Sequence, residues 1–167
     1  MLVELVVAMS FLAIAVSALI AVFASSAISL RNAGIEGTAL TLADSQVETY
    51  KTISYGAMKV DAATIPGGGD PYVTANASDA TIPPSTGQVT GGTVGTSACA
   101  AATTPLSECA TQTLTGPDNR TYRIDTYVHE ASGVKKVTVA VRQMIGGSPG
   151  PIKARATTAF DPANPPA

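Results

Sequence analysis

The chain has 167 residues, about the length of one domain. Ten basic and 12 acidic residues leave a formal charge of −2, so no strong field favours nucleic acid or an acidic substrate. Charged residues are only 13% of the total, well below the usual share, while 46% are hydrophobic. That balance excludes both an ordinary highly charged cytosolic enzyme and charge-driven disorder. With one His, two Cys and no Trp, the raw material for a metal or nucleophile site is nearly absent. No cofactor, no metal and no enzymatic activity are expected.

The hydrophobicity is concentrated at the N-terminus, where Leu5 to Leu30 contains no Asp, Glu, Lys or Arg. As a helix rising ~1.5 Å per residue, this stretch measures roughly 39 Å against a hydrocarbon core of about 30 Å. It can cross a bilayer with some tilt. Ala13, Ala15, Ser17, Ala18 and Ala21 are small enough to let a neighbouring helix approach closely. A cleavable secretory signal, with Val22-Phe23-Ala24 as cleavage site, would need a basic start and a shorter apolar core. A plain single-pass anchor needs nothing further. Glu4 fits neither reading well, because a carboxylate at the rim of a hydrophobic span is costly and calls for a partner.

The run Met1-Leu2-Val3-Glu4-Leu5-Val6-Val7-Ala8-Met9 resembles the start of a mature type IV pilin or pseudopilin, with Leu2 to Leu5 as the closest match. The uncharged helix that follows agrees in kind. In that family the acid is the fifth mature residue, whereas here it is the fourth, and the Pro many major pilins carry in this helix is absent. The resemblance implies that one mature residue and a short basic leader ending in Gly lie upstream, with processing and methylation at or before Met1. It also implies a prepilin peptidase, an assembly platform in the cytoplasmic membrane and other pilin subunits as partners. Glu4 is then the assembly residue. Its carboxylate and the N-terminal ammonium of an adjacent subunit would neutralise one another in an apolar core, where an unpaired charge is strongly disfavoured.

Beyond Arg31 the pattern becomes amphipathic. Leu40, Ala43, Val47 and Tyr50 recur at steps of three and four, with Ile35, Ala39 and Leu42 beside them. Asp44, Gln46, Glu48 and Lys51 fall on other faces. One nearly continuous helix over residues 2 to 55 is predicted, with Tyr55-Gly56 as its stop.

Residues 62–117 hold only three charged residues, with eight Gly and six Pro, which predicts loop with one or two short strands and no helix. Asp61, Asp70 and Asp79 lack the alternate spacing of a calcium loop and read as turn acids. The tripeptides Asn76-Ala77-Ser78 and Asn119-Arg120-Thr121 match the glycosylation pattern, which is too common to carry weight. In an exported domain, Cys99 and Cys109 would form a disulfide, and no His lies near enough in sequence to suggest zinc.

After the turn signal Gly116-Pro117-Asp118-Asn119 the period changes to two. Tyr122 to His129, Lys136 to Arg142 and Ile152 to Ala156 read as three strands, joined by turns at Ser132-Gly133 and Gly146 to Gly150. The apolar face of this meander would pack on the Leu40/Val47/Tyr50 stripe, which gives an α+β, pilin-like fold. The basic residues Arg123, Lys136, Arg142, Lys153 and Arg155 could contact DNA phosphates, as in a competence-type pilin, although a solvated face is preferred. His129 reads as a surface polar residue.

The chain thus divides into a core helix (2–30), its amphipathic continuation (31–58), a variable loop region (59–119), a β-meander (120–160) and a tail (161–167). The expected role is structural: a minor pilin or pseudopilin, held in the cytoplasmic membrane before assembly, with its head outside the cytoplasm. The alternatives are a membrane-anchored or secreted binding module that does not polymerise, and a DNA-uptake pilin.

Overall fold

The computed structural model describes residues 2–65, 88–92 and 95–162. The chain is α+β and falls into two units, Met1–Ile35 and Glu36–Ala167. The expected long helix is present as one element, α1 (Leu2–Lys51). It ends at Lys51, short of the predicted Tyr55, and Tyr55–Ala57 forms a separate 3-10 turn. The early stop has a local cause. Thr52 and Ile53 are β-branched and weak helix formers, and Thr52 turns both its N–H (3.3 Å) and its hydroxyl (2.8 Å) to the Thr49 carbonyl.

In the first unit, residues 2–34 are exposed throughout. Three of its serines turn their hydroxyls back onto the helix. Ser10 donates to the Val6 carbonyl at 2.8 Å, Ser17 to Ile14 at 2.8 Å and Ser26 to Val22 at 2.9 Å. A hydroxyl bonded back to its own helix is tolerated where no water is available.

The second unit is a four-stranded antiparallel sheet in the order β1 (Thr111–Thr115), β2 (Thr121–Ala131), β3 (Val134–Ile145), β4 (Ser148–Phe160), with α1 on one face. β2, β3 and β4 are the three expected strands. β1 comes from the region read as loop with short strands. The β2–β3 connection is the two-residue turn Ser132-Gly133, both with positive φ (54° and 79°), flanked by the pair Ala131↔Val134. Gly146-Gly147 (59° and 83°) does the same for β3–β4, so the turn is shorter than predicted and Ser148 to Gly150 already belong to β4. Such left-handed pairs match the twist of the flanking strands.

The face toward α1 is apolar as expected. Tyr122, Ile124, Val128, Val137, Val139 and Val141 are buried there, with Leu114 from β1. The helix side of this core needs correction. Ala39, Ala43, Gln46, Val47 and Tyr50 are buried, whereas Leu40 is 49% exposed. Gln46, which the spacing sets off the apolar stripe, is fully buried (0%). Small alanines let the helix backbone sit close over the sheet, and Leu40 lies about 100° round the helix from Ala39. The close approach continues at Gly116, where a Cβ would stand 2.8 Å from Thr38 Cγ2 and 3.0 Å from the Tyr122 ring.

The segment between helix and sheet is more ordered than a plain loop. Beyond β1 the edge of β2 is completed by residues 88–90, with Val89 N–H donating to the Val128 carbonyl (2.8 Å) and Gln88 bridging to His129. Val60 pairs in parallel with Thr90. A short helix, α2 (Gly95–Ala101), corrects the expectation that no helix forms here. Two contacts hold it: the Asp61 carboxylate accepts the Gly95 N–H at 2.6 Å, and a disulfide ties Cys99 to Cys109, with Cα atoms 5.8 Å apart. Asp61 also caps the 3-10 turn Ala62–Thr64 through the Ala63 N–H at 2.9 Å, so it serves turns as predicted. Asp70, Asp79, Asn76 and Ser78 lie outside the described residues, as does Met1.

Candidate assembly surfaces

Glu4 lies in the first turn of α1, exposed, followed by the uncharged stretch Leu5 to Leu30. Its carboxylate sits at the positive end of the helix dipole, a favourable place for an anion even before any partner arrives. Around it stand Leu2, Val3, Leu5 and Met9, between 59% and 79% exposed. Apolar side chains cover every side of the helix, and nothing within the unit buries them. α1 is long and apolar enough to cross a membrane. A surface of this kind, far beyond the few hundred Å² of apolar patch a soluble monomer usually shows, needs lipid or other helices against it.

The basic residues of the meander are less uniformly solvent-facing than their alternation suggests. Arg123 and Arg142 are directly paired across β2 and β3, and both turn onto Asp125. Arg123 Nε lies 2.7 Å from Asp125 Oδ1 and Arg142 Nε 3.5 Å from Oδ2, while Thr111 donates its hydroxyl to Oδ1 at 3.0 Å. The two guanidinium side chains retain 16% and 5% of their exposure and Asp125 2%. Beside them Tyr127 and Ala140 are buried with Ile152 against them, so the outward face has a small core of its own. Lys136 is half-buried on this face, Arg155 is exposed and Lys153 sits at the bulge between β3 and β4. Lys135 faces the helix side, buried, with Nζ 2.7 Å from the Tyr55 carbonyl and 4.5 Å from the Tyr55 ring centre. Arg120 pairs with Asp118 at 3.4 Å. The structure thus brings Arg123, Lys136, Arg142 and Arg155 onto one face, with Lys135 on the other.

Set against protein-family models, curated proteins and solved structures, the chain matches none.

Sequence reasoning missed a buried polar network at the helix–sheet junction. Gln46 donates to the Leu106 carbonyl (3.0 Å) and the Thr126 hydroxyl (3.2 Å), and accepts from Gln112 Nε2 (3.1 Å). Gln112 in turn accepts the Leu106 N–H at 3.1 Å. The Tyr50 hydroxyl donates to the Ser107 carbonyl. These bonds lock the loop before Cys109 onto helix and sheet together. A signal did exist: Gln46 and Tyr50 are four residues apart, and both share the side of the helix that carries Ala39, Ala43 and Val47. Burial, then the charge of Glu108, pushes the Tyr50 hydroxyl well above its ordinary pKa. Tyr122, also buried and bonded to Asp118 at 2.7 Å, is pushed up to about 12.

Among the described residues no group of three metal-binding side chains comes together.

Proposed function

We propose that the chain is a structural subunit of a type IV pilus-like filament, a minor pilin or pseudopilin, anchored in the cytoplasmic membrane and polymerised through α1. One observation carries the reading. Glu4 opens a helix whose next 26 residues are uncharged, and those residues are exposed on every side. An anchor alone accounts for the length of the helix and leaves the acid without a purpose. A partner copy whose N-terminal ammonium meets Glu4 accounts for both, since two charges that neutralise one another can enter an apolar core that neither enters alone. The internally bonded hydroxyls of Ser10, Ser17 and Ser26 suit the same surroundings. In this reading the head supplies surface contacts and carries out no chemistry.

The test is incorporation. Glu4→Ala should insert in the membrane at the parental level yet enter filaments at least tenfold less, measured by quantifying the chain in sheared filament and membrane fractions. A Glu4→Ala chain found in filaments at parental levels would dispose of the proposal, as would a parental chain that stays monomeric in the bilayer.

A further inference from the structure

Strand direction decides which turns of the unit Glu36–Ala167 share an end. β3 starts beside the close of α1, where Lys135 Nζ lies 2.7 Å from the Tyr55 carbonyl and the Tyr55 hydroxyl donates to the Gly133 carbonyl at 2.7 Å. It finishes beside the point where α1 enters the unit: Gln143 stands opposite Tyr122, and a Cβ on Gly116 would touch both the Tyr122 ring and Thr38. Past Gln143 the β3–β4 hairpin runs on to its turn at Gly146-Gly147, roughly 10 Å at ~3.4 Å per residue. Charge is missing from this tip. From Gln143 to Ile152 there is no charged residue, and Arg142 and Lys153 bound the stretch. Residues 145–149 and Pro151 are exposed. Among the described residues beyond Leu30, Ile145 (60%) and Leu40 are the exposed large hydrophobics. Pro149 and Pro151 carry no N–H, so the tip presents fewer donors that a medium without water would leave unsatisfied. The β1–β2 turn shares this end, and its Asp118 and Arg120 pair with one another at 3.4 Å.

We propose that this tip, Met144 to Pro151, is a membrane contact that seats in the lipid headgroup layer beside α1. The proposal rests on the reading that α1 is held in the membrane before assembly, and it adds a second point of attachment that orients the head. Placement selects lipid as the occupant. The tip stands at the end of the unit that α1 ties to the bilayer. Between Thr38 and Leu30, where the uncharged run closes, α1 rises about 12 Å, a length of the same order as the hairpin's reach. An exposed isoleucine gains by leaving water. It does so here without a separate binding event, because α1 already holds the head at the surface.

The experiment uses the full-length chain in vesicles of phosphatidylethanolamine and phosphatidylglycerol, with and without bromine in the upper part of the acyl chains. The chain has no Trp, so one introduced indole is its sole reporter. Phe11→Trp reports on α1, Ile145→Trp and Ser148→Trp on the tip, and Thr52→Trp on an exposed position at the opposite end of the unit. Each variant is first checked for the Cys99–Cys109 bond, and two tip reporters guard against one that does not fold. A tip seated about 5–10 Å into the boundary lies within reach of the bromines. Emission of Phe11→Trp and of the tip variants should fall at least twofold on bromination, with a blue shift, and that of Thr52→Trp should not change. The control carries the same indole, so the preference of Trp for interfaces does not by itself produce the difference. Quenching of Phe11→Trp alone would overturn the contact and leave the membrane reading standing. No quenching of Phe11→Trp would end both. Equal quenching at Thr52 and at the tip would mean that the head lies on lipid without a preferred end, which overturns the tip as the contact. Tip reporters that shift to the blue without quenching would assign the tip to another copy of the chain and also overturn it.

Discussion

The two halves of α1 use the same secondary structure for opposite ends. Residues 2–34 are the most apolar part of the chain and bury nothing within it. Residues 36–51 are far more polar, yet Ala39, Ala43, Gln46, Val47 and Tyr50 are buried almost completely. Hydrophobicity therefore does not locate the core here; periodicity does. A helix apolar on all sides has no preferred direction of burial and waits for a surrounding phase, whereas a striped one finds a single sheet face. The stripe itself is built from small and hydrogen-bonding side chains, so its energy comes from close packing and a satisfied polar network as much as from apolar area.

The largest test of this contrast is removal of residues 1–35. A chain beginning at Glu36 should need no detergent, sediment as a monomer and melt cooperatively with its disulfide intact. Aggregation of that fragment would mean that the exposed half contributes to the fold of the other. Next in size is Gln46→Ala, which leaves Gln112, Thr126 and the Leu106 carbonyl short of a buried partner. It should cost about 2–4 kcal/mol in denaturant unfolding, against less than ~0.5 kcal/mol for Ser17→Ala in the exposed half.

Reduction of Cys99–Cys109 comes third. The bond closes a short loop that Asp61, Thr64 and Gln112 already hold, and opening it should cost about 2–3 kcal/mol. Denaturation with a thiol reagent should first reveal no reactive cysteine, since the described residues contain no free one.

The smallest effect is alkaline. Tyr50 and Tyr122 both titrate above their ordinary 10 in the folded chain, so the unfolded chain gives up these protons first. The stability they contribute is complete below pH 10 and declines as pH rises through about 12, where Tyr122 ionises in the fold. Urea midpoints at pH 9 and pH 11.5 should show this fall, and Tyr122→Phe should flatten it. An unchanged midpoint would mean that neither hydroxyl is held neutral by the fold.

Much of the architecture was legible in the residues. The uncharged run, the change to a period of three to four after Arg31, and the alternation from Tyr122 onward each follow from local geometry that needs no partner. Turn residues such as Ser132-Gly133 were equally plain, because few sequences adopt two positive φ angles in succession. The weaker readings all involved contacts between distant segments. Leu40 fits the spacing of the stripe as well as Ala39 does, and only the sheet's closeness, visible at Gly116 beside Thr38, excludes the larger side chain. Gln46 is polar and falls off the apolar stripe, and only Gln112 and Thr126, meeting it across the interface, give it a buried place. Arg123 and Arg142 alternate as surface residues should, but strand register sets them side by side over Asp125.

The sequence by itself determined that one long helix precedes three long strands, that one end of the chain is uncharged over a membrane's thickness, and that an acid opens it. Those are properties of neighbours along the chain, set by backbone geometry and hydropathy. Only the tertiary structure decided which face of the helix is dry, which glutamines meet in the core, and which arginines are tied to a carboxylate. Those depend on pairings between residues up to 80 positions apart, as Gln46 and Thr126 are, and no local pattern encodes which distant side chain will satisfy a buried group.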